Sequence, residues 1–244
     1  MPNYPSFVRL SIVASYLKSR YSIWRTRRIH ALHRRQHEAA YAEIDTIIRR
    51  FHDAGGLKHD FQAYKLFELS SLLSKHRPKK ILELGSGTTT AVFSNYVRQD
   101  RGSSLTVIDE SQHWLDNARR LAQIDDFDKR FDLIVAPKIE EWVDSTPIAR
   151  YDVNITGEYD FILVDGPSLT IGGVKDKRAV NTNILPIIDR QETAIILVDI
   201  RAATVDAMLR HALDHYKITR SDIITGNLRP GYNYFTRFEK RLGV

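Results

Sequence analysis

Short apolar runs, each ended by a polar or turn residue, recur through the middle of the chain. They cover residues 81–84, 105–108, 131–135, 159–164 and 194–198, and helical stretches separate most of them. A strand that is apolar throughout is typical of a parallel sheet covered on both faces. Repeated strand-then-helix units therefore predict an α/β fold with a doubly wound sheet, which binds its ligand at the carboxyl ends of the strands.

The first of these runs leads into a glycine turn. Residues 81–90 read Ile-Leu-Glu-Leu-Gly-Ser-Gly-Thr-Thr-Thr, which predicts a strand, a tight turn from Gly85 to Gly87 and a helix that begins at Thr88. Glycine allows the turn and leaves no side chain between the backbone and a nucleotide-like ligand. A dinucleotide fingerprint needs a third glycine where this chain has Thr90, and a P-loop needs a Lys-Ser/Thr ending. These departures argue against both cofactor types.

Acidic residues end several of the predicted strands. Asp109 lies 22 residues after Gly87, close to the spacing at which such folds place a carboxylate on a ribose. A carboxylate accepts hydrogen bonds from both ribose hydroxyls. The alternative is that Asp109 only caps the helix that contains Trp114. Because parallel strands end at a common edge, we expect Asp109, Asp165 and Asp199 to lie along it.

Two motifs resemble those of a known family. The pattern Glu83-x-Gly85-x-Gly87 after a strand resembles motif I of the class I S-adenosylmethionine-dependent methyltransferases. The run Phe-Ile-Leu-Val-Asp-Gly-Pro at residues 161–167 is similar to a bacterial subgroup that includes sugar and small-molecule O-methyltransferases. The resemblance covers residues 57–240, about three quarters of the chain.

The resemblance implies a Rossmann-like seven-stranded sheet, mostly parallel, whose last two strands form a hairpin. Residues 216–219 and 232–235 suit that hairpin, with Gly226 and the Pro230-Gly231 turn between them. The same resemblance implies S-adenosyl-L-methionine as the cofactor. It also implies methylation as the reaction, with an oxygen atom of a small molecule or glycan as the acceptor.

The resemblance places the cofactor on the glycine turn and on the neighbouring strand ends. The residues that it assigns to cofactor binding are Glu83, Gly85, Ser86, Gly87, Thr88, Asp109, Glu110 and Asp165. Asp165 is also the candidate catalytic base, because a hydroxyl acceptor has to lose its proton. Capping a helix and hydrogen bonding to the cofactor's amino group are the alternatives for this side chain.

Other chemistries remain open at the same strand ends. Asp165 and Asp199 would suit a divalent cation, because Mg²⁺ prefers oxygen ligands. The pattern of catechol-type enzymes has Asn after the second acid, whereas this chain has Ile200. We therefore predict a site without a metal ion. The alternative functions are a nicotinamide-dependent oxidoreductase, an aminopropyltransferase on a related fold, and a cofactor-binding scaffold protein without catalytic activity.

Charge is concentrated at the start of the chain. Residues 1–60 hold 11 Lys and Arg against 5 Asp and Glu, and their net charge of +6 equals that of the whole chain of 244 residues. We predict a basic helical extension over residues 1–56 and a methyltransferase domain over residues 57–244, with Gly55-Gly56 as the hinge. The extension suits a solvated or oligomer-forming helix, or contact with an anionic membrane or an acidic glycan. Nucleic acid is disfavoured because no nucleic-acid module accompanies the charge.

Composition excludes several other classes. Cysteine is absent, so disulfides, thiolate zinc sites and cysteine nucleophiles are ruled out. Apolar runs stay well short of the ~18 residues that a membrane-spanning helix needs. The early apolar stretch from Leu10 to Leu17 has no small-residue cleavage pattern after it. The sequence therefore predicts a cytoplasmic protein, with peripheral contact at the inner face of the membrane as a further reading.

Overall fold

The structure, a computed structural model, describes residues 21, 24–56, 61–190, 193–212, 214–225 and 232–241. The helices in these ranges are α1 (residues 24–36), α2 (Glu38–Asp53), α3 (Gln62–His76), α4 (Thr88–Gln99), α5 (Gln112–Ala122), α6 (Ile184–Arg190), α7 (Ala202–Ala212) and α8 (Asp222–Thr225). The strands are β1 (Lys80–Leu84), β2 (Ser104–Asp109), β3 (Phe131–Val135), β4 (Lys138–Val143), β5 (Thr146–Tyr151), β6 (Phe161–Val164), β7 (Thr170–Ile171), β8 (Val174–Lys175), β9 (Ile195–Val198), β10 (Tyr216–Thr219) and β11 (Thr236–Lys240).

Seven strands form one sheet in the order β10-β11-β9-β6-β1-β2-β3. The five strands from β9 to β3 pair in parallel, and β11 pairs antiparallel with both β9 and β10. The predicted mostly parallel, seven-stranded sheet with a terminal hairpin is therefore confirmed. Two small hairpins, β4–β5 and β7–β8, lie outside this sheet and were not predicted.

The arrangement of the core explains why the strands are apolar throughout. In β1, Ile81 belongs to the apolar cluster that contains residues of α2, α3, α4 and α5, whereas Leu82 and Leu84 belong to the cluster that contains α6 and α7. Successive side chains of a strand point to opposite faces. Helices on both faces therefore bury β1 from Ile81 to Leu84, which confirms the doubly wound arrangement.

The predicted position of the last strand is wrong. Residues 232–235 precede β11 and make hydrogen bonds with α3 and with residues 221–222 instead of with a neighbouring strand. The hydroxyl of Tyr64 donates a hydrogen bond to the carbonyl oxygen of Tyr232 (2.6 Å). The backbone N–H of Tyr234 donates one to the carboxylate of Glu68. The aromatic residues of this segment indicate that it is buried. A buried segment can pair with a strand or pack on a helix, and the sequence pattern does not distinguish the two. The predicted turn residues, Gly226, Pro230 and Gly231, lie outside the described residues.

Helix α2 packs on the same face of the sheet as α3 and α4. It buries Tyr41, Ile44 and Ile47 in the larger apolar cluster. The division of the chain at residue 56 stays a prediction, since residues 57–60 lie outside the described part. The buried face of α2 nevertheless makes it part of the core of the predicted domain. None of the helices within the described ranges is long and apolar enough to cross a bilayer.

Candidate active site

The glycine turn lies at the carboxyl end of β1, directly before α4. Gly85 has a φ of +96°, in the region that glycine enters without strain. A side-chain carbon at Gly85 would lie 2.6 Å from the backbone nitrogen of Gly166, in the loop after β6. At Gly87 the same carbon would meet no atom within 4 Å. The turn thus packs tightly against one strand end and leaves its other part open to a ligand.

Glu83 lies in β1, two residues before the turn, and is fully buried. The hydroxyl of Thr89 donates a hydrogen bond to one carboxyl oxygen, and the other oxygen has no partner within the described residues. Burial raises the pKa of Glu83 to about 8, although hydrogen bonds from threonine hydroxyls act in the opposite direction. This carboxyl is fully buried beneath the turn, so its contact with the cofactor stays a prediction.

Asp109 ends β2 beside the glycine turn. Its Oδ2 accepts hydrogen bonds from the backbone N–H (2.7 Å) and the hydroxyl (2.8 Å) of Ser86, and its Oδ1 accepts one from the N–H of Ser111 (2.8 Å). Burial raises the pKa of Asp109, although these bonds act to lower it. The helix cap of α5 is Ser111, which accepts from the N–H of Trp114 at 3.3 Å. Asp109 therefore orders the turn, and its contact with a ribose stays a prediction.

Glu110 and Arg201 hold the loop that follows β6. The carboxylate of Glu110 accepts a hydrogen bond from the N–H of Ser168 (2.9 Å). The guanidinium of Arg201 donates to the carbonyl oxygens of Asp165 and Pro167, the second at 2.7 Å. These bonds fix the backbone that carries the Asp165 side chain. A direct contact between Glu110 and the cofactor stays a prediction.

A cavity of about 560 Å³ opens at the carboxyl ends of β1, β6 and β9. Small-molecule sites commonly occupy about 300–1,000 Å³. Four of the predicted site residues line this cavity, namely Ser86, Gly87, Thr88 and Asp165. The other four, Glu83, Gly85, Asp109 and Glu110, are not part of its lining. Asp199, expected at this edge of the sheet, also lines the cavity. Residues that the motifs did not indicate complete the wall, among them Phe51, Phe61, Lys65 and Tyr234.

Lys65 of α3 lies between Asp165 and Asp199. Its Nζ is 2.6 Å from Oδ2 of Asp165 and 3.0 Å from Oδ2 of Asp199. The one signal in the sequence is spacing, because Lys65, Leu69 and Leu72 follow the i, i+4, i+7 pattern of a buried helix face. A lysine is rarely buried unless it is paired. The spacing thus indicates that Lys65 has a partner, but it does not say which one.

The three groups shift one another's protonation. Burial raises the pKa of Asp165 to about 7, and the Lys65 ammonium only partly offsets this. Burial also acts to raise the pKa of Asp199, but Lys65 and hydrogen bonds outweigh it and hold that pKa below its usual value. For Lys65 itself the two carboxylates outweigh burial, so its pKa is raised and it stays charged. The site therefore holds a fixed cation and two acids of unequal strength.

About four fifths of the chain aligns in three dimensions with solved methyltransferases. One is a methyltransferase of Podospora anserina bound to S-adenosylhomocysteine, at 14% identity and a TM-score of 0.51, covering 81% of this chain and 88% of that one. The fold is that of the class I methyltransferases. Another is an O-methyltransferase of Bacillus cereus in complex with S-adenosylhomocysteine, at 12% identity and a TM-score of 0.50, covering 82% of this chain and 91% of that one.

Comparison of the sequence alone adds nothing to this likeness. No protein-family model matches the chain, and the comparison with curated proteins found no match. At 12–14% identity the similarity lies in the fold. The roles of the site residues therefore rest on the geometry described above.

Proposed function

We propose that the protein transfers a methyl group from S-adenosyl-L-methionine to an oxygen atom of a small molecule or glycan. The observation that carries this proposal is a glycine turn that opens onto a cavity with two carboxylates, on a methyltransferase fold. When bound, this cofactor supplies a methyl group on a sulfonium for in-line displacement by the acceptor oxygen. The residues of the chain hold both molecules in position and receive the acceptor's proton.

We assign the cofactor to the residues that the sequence predicted. The turn from Gly85 to Thr88 would hold it through the part that lines the cavity at Ser86 and Gly87, and the unpaired oxygen of Glu83 would accept a hydrogen bond from it. Asp109 would bind the ribose by exchanging its bonds to Ser86 for bonds to hydroxyl groups. Glu110 and Asp165 would border the bound molecule at the ends of β2 and β6. The fit rests on the open position at Gly87.

A nicotinamide-dependent oxidoreductase is the second candidate among enzymes. Thr90 stands where its fingerprint has a third glycine, and its hydroxyl accepts the N–H of Gly87 at 3.0 Å. Calorimetry with S-adenosylmethionine, S-adenosylhomocysteine and NAD separates the two functions, and we expect the first two compounds alone to bind. A scaffold protein would bind them without transferring a labelled methyl group to any acceptor in a metabolite or glycan screen.

Replacing Gly87 with alanine should weaken the binding of S-adenosylhomocysteine at least tenfold, a loss of about 1.4 kcal/mol. The backbone at Gly87 is extended, and the added carbon would meet no protein atom within 4 Å. It would instead project into the space that the proposal gives to the cofactor. Titration calorimetry measures the dissociation constant, and thermal unfolding checks that the fold is retained.

Gly102 provides the matched control for this substitution. It lies in the loop before β2, and the nearest atom to an added carbon there is 3.5 Å away. The Gly102→Ala variant should keep both the melting temperature and the affinity of the wild type. Equal affinity in the wild type and in a folded Gly87→Ala variant would remove the cofactor from the glycine turn.

We further propose that α1 contacts an anionic membrane surface from the cytoplasmic side. Residues 1–37 contain 8 Lys and Arg and no Asp or Glu. One side of α1 packs inward, where the ring of His30 lies 5.1 Å from that of Tyr64. On the other side Trp24 is 55% exposed and Leu32 51% exposed, and the guanidinium of Arg28 lies 5.5 Å from the Trp24 ring. Exposed aromatic, aliphatic and arginine side chains on one helix suit a membrane interface.

Reversing the charge of Arg25, Arg28 and Arg35 should abolish binding to vesicles that contain phosphatidylserine. Each basic residue near an anionic surface contributes about 1 kcal/mol. Cosedimentation with anionic and with neutral vesicles measures the effect, and added salt should weaken the binding of the wild type. All three arginines are exposed, so we expect the variant to fold.

The control reverses three exposed basic residues elsewhere, Lys129, Lys177 and Arg210. This variant has the same net charge as the α1 variant and should still bind anionic vesicles. Equal loss of binding in both variants would show that net charge, and not α1, attracts the protein. Failure of the wild type to bind, together with a concentration-dependent dimer, would instead support the oligomer-forming helix.

A further inference from the structure

The cavity contains a cation that belongs to the chain itself. Nζ of Lys65 bridges Oδ2 of Asp165 (2.6 Å) and Oδ2 of Asp199 (3.0 Å), and Lys65 is only 9% exposed. Its position between two carboxylates is the one that a metal ion would otherwise take. Buried charges of this kind are retained when they are paired and hydrogen-bonded.

The two acids differ in their access to the cavity. The side chain of Asp165 is 29% exposed, whereas that of Asp199 is 9% exposed. Asp199 also accepts the N–H of Ile200 at its Oδ1 (2.7 Å), so both of its oxygens have donors. Asp165 is therefore the acid that can reach a molecule in the cavity, and Asp199 the acid that anchors the lysine.

The charges of the cluster do not cancel. Two carboxylates and one ammonium leave one negative charge, which a single proton would neutralise. The groups that face Asp165 from the surrounding elements are Lys65 of α3, Asp199 after β9, Arg201 before α7, Glu83 of β1 and Tyr234 before β11. Arg201 donates to backbone carbonyls and keeps its positive charge, which acts to lower the pKa of Asp165. Burial outweighs this and raises that pKa to about 7, and it also favours the neutral form of Glu83. The cluster is thus poised to take up one proton.

We propose that Lys65, Asp165 and Asp199 form the proton-accepting centre of the site, with Lys65 as a built-in cation in place of a divalent metal ion. This inference rests on the proposed function and goes beyond it in naming Lys65. During transfer the acceptor's O–H bond would break, and its electron pair would stay on oxygen and form the new bond to the methyl carbon. The bond from that carbon to sulfur would break at the same time, with its electron pair kept by the sulfur of the departing S-adenosylhomocysteine. The proton passes to the carboxylate of Asp165. Lys65 acts through the acids, and is therefore a positioning residue.

Lys65 controls how readily Asp165 takes the proton. An ammonium close to a carboxylate favours its ionised form and lowers its pKa, by about 1–3 units for a close pair. Without Lys65, burial and the neighbouring Asp199 would keep a proton on the pair well above neutral pH. With Lys65 in place the carboxylate is available at neutral pH, although it binds a proton more strongly than an exposed aspartate does.

Carbon-13 NMR of aspartate carboxyl groups tests the inference on the full chain without an acceptor. Asp165→Asn and Asp199→Asn assign the two signals by their loss. In the wild type the Asp165 signal should titrate near pH 7. In Lys65→Met it should titrate at least one unit higher, in the direction expected when a nearby cation is removed. Lys75→Met, an exposed lysine on the same helix, should leave the titration unchanged.

A second measurement needs no variant and covers the case in which Lys65→Met fails to fold. Paramagnetic Mn²⁺ added to the wild type should leave the signals of Asp165 and Asp199 sharp. Broadening of both signals at micromolar Mn²⁺ would overturn the inference in favour of a metal site. An unchanged titration in a folded Lys65→Met variant would overturn it as well, because Lys65 would not be the controlling cation.

The proposed function is tested separately on the same samples. Calorimetry of the wild type with S-adenosylhomocysteine measures cofactor binding independently of the protonation of Asp165 and Asp199. Binding with the expected titration supports both statements. If the cofactor product binds but the titration of Asp165 is unchanged in Lys65→Met, the inference about Lys65 is overturned and the proposed function is not. Absence of binding overturns the methyltransferase proposal, and with it the assignment of the acids to methyl transfer.

Discussion

Asp165→Asn should lower the rate of methyl transfer by roughly 10²–10⁴-fold, the usual contribution of a positioned general base. The amide keeps the size of the side chain, and its oxygen can still accept the hydrogen bond from Lys65 that the carboxylate accepts at 2.6 Å. It cannot take up the acceptor's proton. Transfer of a labelled methyl group at saturating cofactor measures the loss, once a screen has identified an acceptor.

The pKa of Asp165 also predicts the direction in which the rate of methyl transfer changes with pH. Burial raises the pKa of Asp165 to about 7, and the active form of a base is the one without the proton. The wild-type rate should therefore rise as pH increases through about 7 and then level off. Asp165→Asn should lose this rise together with the rate. Treatment with EDTA should change neither profile, because Lys65 supplies the cation.

The control for this variant is Asp214→Asn, an exposed position between α7 and β10, away from the cavity. It should retain the wild-type rate and pH profile. If the affinity of Asp165→Asn for S-adenosylhomocysteine falls as much as its rate of methyl transfer, Asp165 is a cofactor-binding residue. Loss of wild-type activity in EDTA, restored by Mg²⁺, would favour a metal site at the two acids.

The central sheet was predictable because strands buried on both faces appear in the sequence as short runs of consecutive apolar residues. The five predicted runs became β1, β2, β3, β6 and β9, with shifts of up to two residues at their ends. The motif at Glu83 to Gly87 was predictable for a different reason. A side-chain carbon at Gly85 would lie 2.6 Å from the backbone nitrogen of Gly166, so only glycine fits there and the restriction appears directly as a residue type.

Features that depend on tertiary packing were harder to predict from local sequence patterns. Residues 232–235 are mostly aromatic, as a buried strand would be, but they make hydrogen bonds with α3 and with residues 221–222 instead of with a strand. The hairpin β4–β5 turns at Asp144 and Ser145, which both have positive φ and which carry no glycine signal. Lys65 lies 100 residues before Asp165, so nothing local connects the two. The spacing of Lys65 with Leu69 and Leu72 on α3 is compatible with a buried, paired lysine, but the identity of its partners depends on the fold.

Gly85→Ala should destabilise the protein by roughly 2–6 kcal/mol, the sum of backbone strain and overpacking. Gly85 has a φ of +96°, which an alanine adopts only with strain. The added carbon would also lie 2.6 Å from the nitrogen of Gly166 and 2.8 Å from the carbonyl carbon of Asp165. Both neighbours are backbone atoms, so no side chain can rotate away.

Relief of this overlap would require the ends of β1 and β6 to separate. That movement would displace Asp165 from Lys65 and open the loop that Arg201 holds, so affinity for S-adenosylhomocysteine should fall with stability. Urea denaturation measures the change in unfolding free energy. Gly87→Ala, two residues away, should leave that free energy close to the wild-type value, since its added carbon has no neighbour within 4 Å. A Gly85→Ala protein as stable as Gly87→Ala would mean that the turn relaxes freely, and that the close contact between β1 and β6 does not set the geometry of the site.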